Sequence, residues 1–308
     1  ISPVRQELAM PRPITITAYS TALFSTWIFV EEMRLLLDAG DGVSAGLLTK
    51  SRKIDTVAIT HPDRDHITGL FQLLQLNAHD GKPQIIYPKD SGSFPAMAEF
   101  CRRFDPHVSA ATWTPVAPAQ EIALKDSLKL RVVNSSHIDR PGQIKSVGYQ
   151  VVSTARKLKA EYRGRPQNEM AELARTHGTE ALTDPHDEIE IGYSGDTGVD
   201  SPERWRGCRV LVHEATFLQH TDAGQRGEHN QHSVLVDVPR MAVEANPGVL
   251  ILNHFSSRYK LQEVNAAVLA ETSALKPSFP IHIIPPGEIV RGVLTHERIW
   301  PGSGAIAA

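Results

Sequence analysis

The chain reads as an α/β protein with a metal site at its strand ends, and three observations carry that reading. Short β-prone apolar runs alternate with segments of helical spacing along the 308 residues. The first half passes from antiparallel-type strands into a β-loop-α-β unit, and the second half repeats that logic. Asp and His stand repeatedly at the C-terminal ends of the strands, where ligands gather on α/β scaffolds.

In order, Ile14 to Tyr19 alternates as a strand does, Thr26 to Val30 is β-prone, and the apolar run Met33 to Leu37 ends in the turn Asp38-Ala39-Gly40-Asp41-Gly42. Ile54 to Thr60 predicts a further strand. Ile67 to Leu76 has helical spacing, and Gly81-Lys82-Pro83 closes the unit before a strand at Gln84 to Tyr87. Between that strand and that helix lies Thr60-His61-Pro62-Asp63-Arg64-Asp65-His66, with four potential metal ligands inside six residues. A tight strand-to-helix loop can aim several side chains at one point.

Ser91 to Phe104 predicts a helix, capped by Ser93 and with Pro95 in its first turn. Trp113 to Pro118 is expected to be a proline-rich connection. Ile122 to Leu124, Leu128 to Asn134 and Ser146 to Ser153 predict strands, the second running into Ser135-Ser136-His137. Arg156 to Pro185 is polar and charged, with a helical pattern only over Gln167 to Arg175, and is expected to be a surface insertion. Ile189 to Tyr193 leads into Ser194-Gly195-Asp196-Thr197-Gly198, and Arg209 to Val212 leads into His213-Glu214-Ala215-Thr216-Phe217. A helix over Ser233 to Ala245, a strand over Val249 to Leu252 ending at Asn253-His254, and a helix over Leu261 to Leu275 follow. Pro280 to Ile284 and Glu288 to Leu294 complete the expected strands.

Hydrophobic residues at 41% and charged residues at 22% are those of a soluble globular protein, expected here as a single domain over residues 1–308. A net charge of -3 gives no bulk basic signal, so binding to nucleic acid would need a local patch. Cys101 and Cys208 are isolated and fit neither a disulfide framework nor a thiolate metal site. No apolar run approaches the ~20 residues of a membrane span, and Ile1 to Pro13 lacks a hydrophobic signal core. A cytoplasmic protein with no membrane partner is expected.

The polar strand ends collect as His61, Asp63, Asp65, His66, His137, Asp196 and His254. Seven N and O ligands suffice for two metal ions if one carboxylate bridges, and this mixture suits Zn, Mn or Fe. The implied chemistry is metal-assisted hydrolysis, in which two ions roughly 3.5–4 Å apart hold a hydroxide and neutralise developing charge.

The ordered motifs HxxxDH, a lone His, SGDT, HEAT, a later HS pair and HFSSRY resemble the metallo-β-lactamase fold, specifically its ribonuclease Z (tRNase Z) branch. The resemblance runs from Asp38 to Tyr259. It implies an αββα four-layer sandwich, two facing mixed β-sheets with outer helices. It places His61, Asp63, His137 and Asp196 on one divalent ion and Asp65, His66, Asp196 and His254 on the other, with Asp196 bridging. Zinc is the expected metal. It implies catalytic roles for Asp65, Glu214 and His232, the last two as a dyad that manages the proton of the leaving oxygen. The implied activity is a phosphodiesterase or endoribonuclease using a metal-bridging hydroxide, with RNA or a small phosphodiester as substrate and a homodimer as the assembly.

Two departures stand beside the resemblance. Where the family has HxHxDH, this chain has Asp63 for the second His, a shorter and harder anionic ligand that favours Mn or Fe relative to Zn. Lys157 to Gly178 lacks the Gly/Pro-rich tip of the family's tRNA-gripping arm and is more similar to the arm-less short forms. Lys157, Lys159, Arg163 and Arg165 are candidates for phosphate contacts, and His213, Thr197, His229 and Arg258 for lining the pocket. The departures keep open a small-molecule hydrolase acting on a cyclic nucleotide, ester or lactone, and a non-catalytic metal-binding protein.

Overall fold

Apolar side chains on successive strands separate into two faces, and the burial of both faces sets the architecture. The computed structural model describes residues 12–77, 81–104, 111–223 and 231–303. The strands are β1 (Ile16–Thr21), β2 (Ser25–Val30), β3 (Leu35–Leu37), β4 (Thr56–Ala58), β5 (Gln84–Pro88), β6 (Thr112–Val116), β7 (Glu121–Ala123), β8 (Lys129–Asn134), β9 (Asp139–Arg140), β10 (Gln143–Ile144), β11 (Val147–Leu158), β12 (Thr183–Tyr193), β13 (Val210–Glu214), β14 (Val249–Asn253), β15 (Ile281–Ile283) and β16 (Val290–Arg291). One seven-stranded sheet runs β16-β1-β2-β3-β4-β5-β6 and the other β15-β14-β13-β12-β11-β8-β7, while β9 and β10 pair apart. Both sheets are mixed. β3 to β6 are parallel in the first, β12 to β15 in the second, and the other neighbours are antiparallel.

Period-two alternation places Leu35, Leu37 and Ala58 of the first sheet against Val132, Tyr149, Val151 and Val212 of the second. The intervening Leu36, Val57 and Ile85 face outward, onto Leu70, Leu73, Leu74 and Phe94 of the helices α3 (Leu70–Asn77) and α4 (Ser93–Phe104). α1 (Val43–Leu47) and α2 (Arg64–Ile67) lie earlier in the same half. On the other side Leu211, Leu250 and Leu252 pack against Met241, Ala242, Val264 and Val268 of α8 (Val238–Ala245) and α9 (Leu261–Leu275). Helix, sheet, sheet, helix is therefore the layer order, the αββα sandwich. Truncating one fully buried leucine such as Leu36 to Ala costs about 2–5 kcal/mol.

Several segments differ from the sequence expectation. Residues 113–118 largely form β6 rather than a connection: Pro115 is tolerated because β6 is an edge strand, pairing only with β5. The helix expected from Ile67 is cut between α2 and α3 at Thr68-Gly69, because the chain there is pinned to the Asp38 turn. Gly69 N donates to Ala39 O at 2.8 Å, and a Cβ on Gly69 would lie 2.1 Å from Gly40 O. The helix expected from Ser233 starts at Val238. Before it, Val234 bridges to Phe217, and Leu235 N donates to Phe217 O at 2.7 Å. Residues 288–294 hold only the two-residue β16 and a 3-10 turn.

β11 and β12 continue as a hairpin into residues 156–185, pairing from Tyr149↔Tyr193 out to Leu158↔Thr183. α5 (Gln167–His177) and α6 (Thr179–Leu182) sit beyond its end, and α7 (His220–Ala223) follows β13. The cysteines are free and buried. Among the described residues no helix is long and apolar enough to cross a membrane.

Candidate metal centre

Polar side chains meet at one edge of the sandwich because several strands end there. β4 delivers the loop carrying His61 to His66, β8 delivers His137, β12 delivers Asp196, β13 Glu214 and β14 His254. The loop is zipped to the turn after β3: Ala39 N donates to His66 O at 2.8 Å, and Asp38, at φ 55°, turns its buried carboxylate back under the loop. Gly195, at φ 57°, is required beneath Asp196, since a Cβ there would fall 2.6 Å from Thr60 Cγ2.

Four imidazoles are oriented alike, and their partners fix which nitrogen faces inward. Thr60 Oγ1 donates to Asp38 (2.9 Å), so it accepts from His61 Nδ1 (2.9 Å). His66 Nδ1 donates to Asp38 Oδ2 (2.8 Å), and His137 Nδ1 to Gln231 O (2.9 Å). Thr216 Oγ1 donates to Glu214 Oε2 (2.6 Å), so it accepts from His254 Nδ1 (2.9 Å). Each ring thus presents Nε2 to the centre, the pattern of metal-binding histidines whose other nitrogen is held by a donor-acceptor partner.

The inward atoms have the spacing of ligands around shared ions. His66 Nε2 lies 3.3 Å from His254 Nε2, 3.4 Å from Asp196 Oδ2 and 3.6 Å from Asp65 Oδ2. His254 Nε2 lies 3.5 Å from Asp65 Oδ2 and 3.4 Å from Asp196 Oδ1. His61 Nε2 is buried without a hydrogen-bond partner, 3.6 Å from Asp196 Oδ2 and 3.7 Å from Asp63 Oδ2. His137 Nε2 is 3.4 Å from the same Asp63 oxygen. Tetrahedral ligands with bonds near 2.0–2.1 Å stand about 3.4 Å apart, so the spacing of these residues fits the binding of divalent metal. Asp63 occupies the position that caps α2, yet its carboxylate makes no capping bond and turns to these histidines instead.

The electrostatics follow from burial opposed by neighbours. Burial, reinforced by the adjacent His66 and His137 rings, drives His61 well below the usual histidine range. Burial would do the same to His66, but Asp196 and Asp38 hold it well above that range. Burial pushes the Asp196 carboxyl up, while His254 and His66 bring it well below the usual carboxylate range. Asp65 is lowered by His254 and His66 against the same opposition. The set prefers anionic carboxylates and a bound cation or proton between them.

Glu214 and His232 stand beside this cluster. His232 Nδ1 donates to Glu214 Oε1 at 3.0 Å, and the remaining acceptor capacity of Glu214 is filled by Thr197 N (2.8 Å), Thr216 N (3.1 Å) and Thr216 Oγ1. Burial works against protonation of His232, but Glu214 outweighs it and raises the ring to about 9. Glu214 itself, pushed up by burial, is drawn below its usual range by His232. Asp196 Oδ2 is 3.9 Å from His232 Nδ1. Asp63, Asp65, Asp196, His232, His254 and Arg258 line a pocket of about 50 Å³ here.

Comparison with known proteins places this arrangement. A profile described as a beta-lactamase superfamily domain matches residues 33–159. The ribonuclease Z of Pyrobaculum neutrophilum is 30% identical over 248 residues, covering 73% of this chain and 77% of the relative. That of Methanopyrus kandleri is 28% identical over 233 residues, with 73% and 77% covered. The chain belongs to the metallo-β-lactamase superfamily, in its ribonuclease Z-like branch. The fold agrees: the metallo-beta-lactamase fold protein YhfI of Bacillus subtilis superposes with TM-score 0.61 at 15% identity, covering 91% of this chain and all of that one. The human short-form tRNase Z gives 0.54 at 18% identity, over 90% and 98%. As a member of this branch the protein is a metal-dependent hydrolase.

All seven expected ligands of the superfamily site come together, and so do Glu214 and His232. Missed by sequence reasoning were Asp38, Thr60, Thr216 and Tyr193, whose hydroxyl donates to Asp38 at 2.6 Å. An Asp directly after the apolar run Met33 to Leu37 was the only signal the sequence held for Asp38. Of the pocket-lining candidates, Arg258 lies at the mouth, Thr197 supports Glu214 through its backbone, and His213 is buried with Nδ1 donating to Glu214 O. His229 lies outside the described residues. Among the basic candidates of the hairpin, Lys157 pairs with Glu188 at 3.5 Å and Arg165 with Glu169 at 2.6 Å.

Proposed function

We propose that this hydrolase is a phosphodiesterase of ribonuclease Z type that cleaves RNA, with two divalent ions held as the sequence expects. One ion takes His61, Asp63, His137 and Asp196, and the other Asp65, His66, His254 and Asp196. The observation that carries the proposal is the convergence of four Nε2 atoms and three carboxylates, with Asp196 in reach of both groups. The ions, zinc or, because of Asp63, manganese or iron, would supply Lewis acidity and an acidified water.

The chain's own residues then divide the remaining work. Asp65, accepting from Leu23 N at 3.0 Å, is positioned to orient the attacking water. His232 keeps Nδ1 on Glu214, which holds the ring oriented and protonated, so the ring is placed to deliver the proton of Nε2 to the departing oxygen. Arg258, with its guanidinium 5.3 Å over the Phe217 ring, supplies a positive edge for a phosphate. The partnered Lys157 and Arg165 favour a second reading, a small phosphodiester such as a cyclic nucleotide, over a long tRNA footprint.

The test is hydrolysis of 3′-extended precursor tRNA, a short oligoribonucleotide, cyclic nucleotides and a lactone by metal-replete protein. Cleavage of RNA with loss of activity in His66→Ala supports the proposal. Hydrolysis of the lactone alone sinks it. We further propose a homodimer through the exposed rings Phe71, Phe100 and Phe104 of α3 and α4, centroids 5.1–5.8 Å apart. A wild-type dimer that sediments as a monomer in Phe100→Ser would support it, and a wild-type monomer or an unchanged dimer would refute it.

A further inference from the structure

The turn between β1 and β2 exposes two consecutive large apolar side chains, the first of them beside the metal centre. Leu23 is 76% and Phe24 62% exposed, and Leu23 lines the mouth of the pocket. Scattered exposed hydrophobics need no explanation, but these are consecutive and are held in place. Ala22 N donates to Phe255 O, beside His254, at 3.2 Å, and Leu23 N donates to Asp65 Oδ2 at 3.0 Å. The turn is thereby fastened to both walls of the site.

Leu23 also adopts φ 70°, a conformation that glycine or asparagine takes far more readily. A branched side chain kept there, over a metal-ligating carboxylate and in solvent, serves neither packing nor turn formation. The pocket is about 50 Å³, room for the reacting phosphoryl group and little more. The groups on either side of the scissile bond must therefore lie across its rim, where Leu23 and Arg258 stand, with the exposed Phe24 next to Leu23 in the chain.

We infer that Leu23 and Phe24 form a stacking platform for the nucleobase flanking the cleaved phosphodiester, and so set the preference of the site for nucleotide substrates. This rests on the proposed phosphodiesterase reading. An open apolar platform beside a cation suits the flat face of a base joined to a phosphate, since base stacking is sequence-tolerant and needs only one covered face. An aliphatic acyl chain would instead call for an enclosed groove.

The experiment compares kcat/KM of the metal-replete protein on two short oligoribonucleotides, one intact and one abasic at the nucleotides flanking the cut. It is run on the wild type and on the double variant Leu23→Gly, Phe24→Ala. Glycine keeps the N–H that Asp65 uses and suits the backbone angle, and metal content is measured to confirm an intact centre. Wild type should prefer the intact strand by roughly tenfold, mostly through KM, as expected for one stacked base. The double variant should bring that ratio within about twofold, by weakening the intact strand. Cleavage of both strands with no base preference in the wild type, or the same preference in the variant, overturns the inference while leaving the proposed activity standing. Cleavage of neither strand overturns both.

Discussion

In the half of the centre built from Asp65, His66 and His254, every side chain is held from behind: Asp65 by Leu23 N, His66 by the buried Asp38 carboxylate and His254 by Thr216. In the half built from His61, Asp63 and His137, His61 rests on Thr60 much as His254 rests on Thr216, His137 rests on a backbone carbonyl, and Asp63 is 48% exposed in its side chain. The halves thus differ in the carboxylate directly behind His66 and in how their Asp ligands are held. Among the described residues, the Asp63 carboxylate hydrogen-bonds only to His137. An anionic partner makes an imidazole a stronger ligand, and a ligand held in place loses less freedom on binding. On the proposed assignment, the buttressed half should bind its ion first and tightly, while the half with Asp63 should exchange its ion and tolerate harder metals.

Variants can be ranked by how they act on that contrast. Asp196→Asn removes the carboxylate common to both halves, so hydrolysis of bis(p-nitrophenyl) phosphate should vanish and metal analysis should show loss from both sites; retained turnover would remove Asp196 from the mechanism. His232→Ala leaves both halves intact and should lower kcat on RNA by about 10²–10⁴-fold. It should do far less on a p-nitrophenyl ester, whose leaving group departs without a proton. In the intact protein the acidic form of His232 is the active one, so RNA cleavage should decline as pH rises toward about 9. Bound cations act in the same direction as burial and can only lower that limit.

Asp38→Asn removes the anion bonded directly to His66 and disturbs His61 only through Thr60, so it should weaken metal binding most at the His66 half, by about 10–100-fold, read by competition with a chelator. Loss confined to the His61 half would invert the comparison. The smallest change is expected from Asp63→His, which restores the family's usual ligand. Zinc affinity of the exchangeable half should rise relative to manganese with little effect on the other half, and an unchanged preference would show that Asp63 does not set it.

Much of this contrast was legible along the chain, because strand ends announce themselves: an apolar run stops and Asp or His follows, as at His61, Asp196 and His254. What was hidden depends on distant contacts. Asp38 reads as a turn residue until Thr60, His66 and Tyr193, up to 155 positions away, are seen to converge on it. Pro115 argued against a strand because edge position is a property of the sheet, not of the segment. The delayed start of α8 comes from the pairing of Val234 with Phe217, which no local signal marks. Leu23 and Phe24 carry no mark in the sequence, because exposure beside a site is visible only in three dimensions.

The most direct test of two unequally held ions is calorimetric titration of metal-free protein with Zn²⁺ and, separately, Mn²⁺. The account predicts two steps of one ion each, the first abolished selectively by His254→Ala and the second by His137→Ala. A single ion per chain, or two indistinguishable ions lost together in either variant, would contradict it.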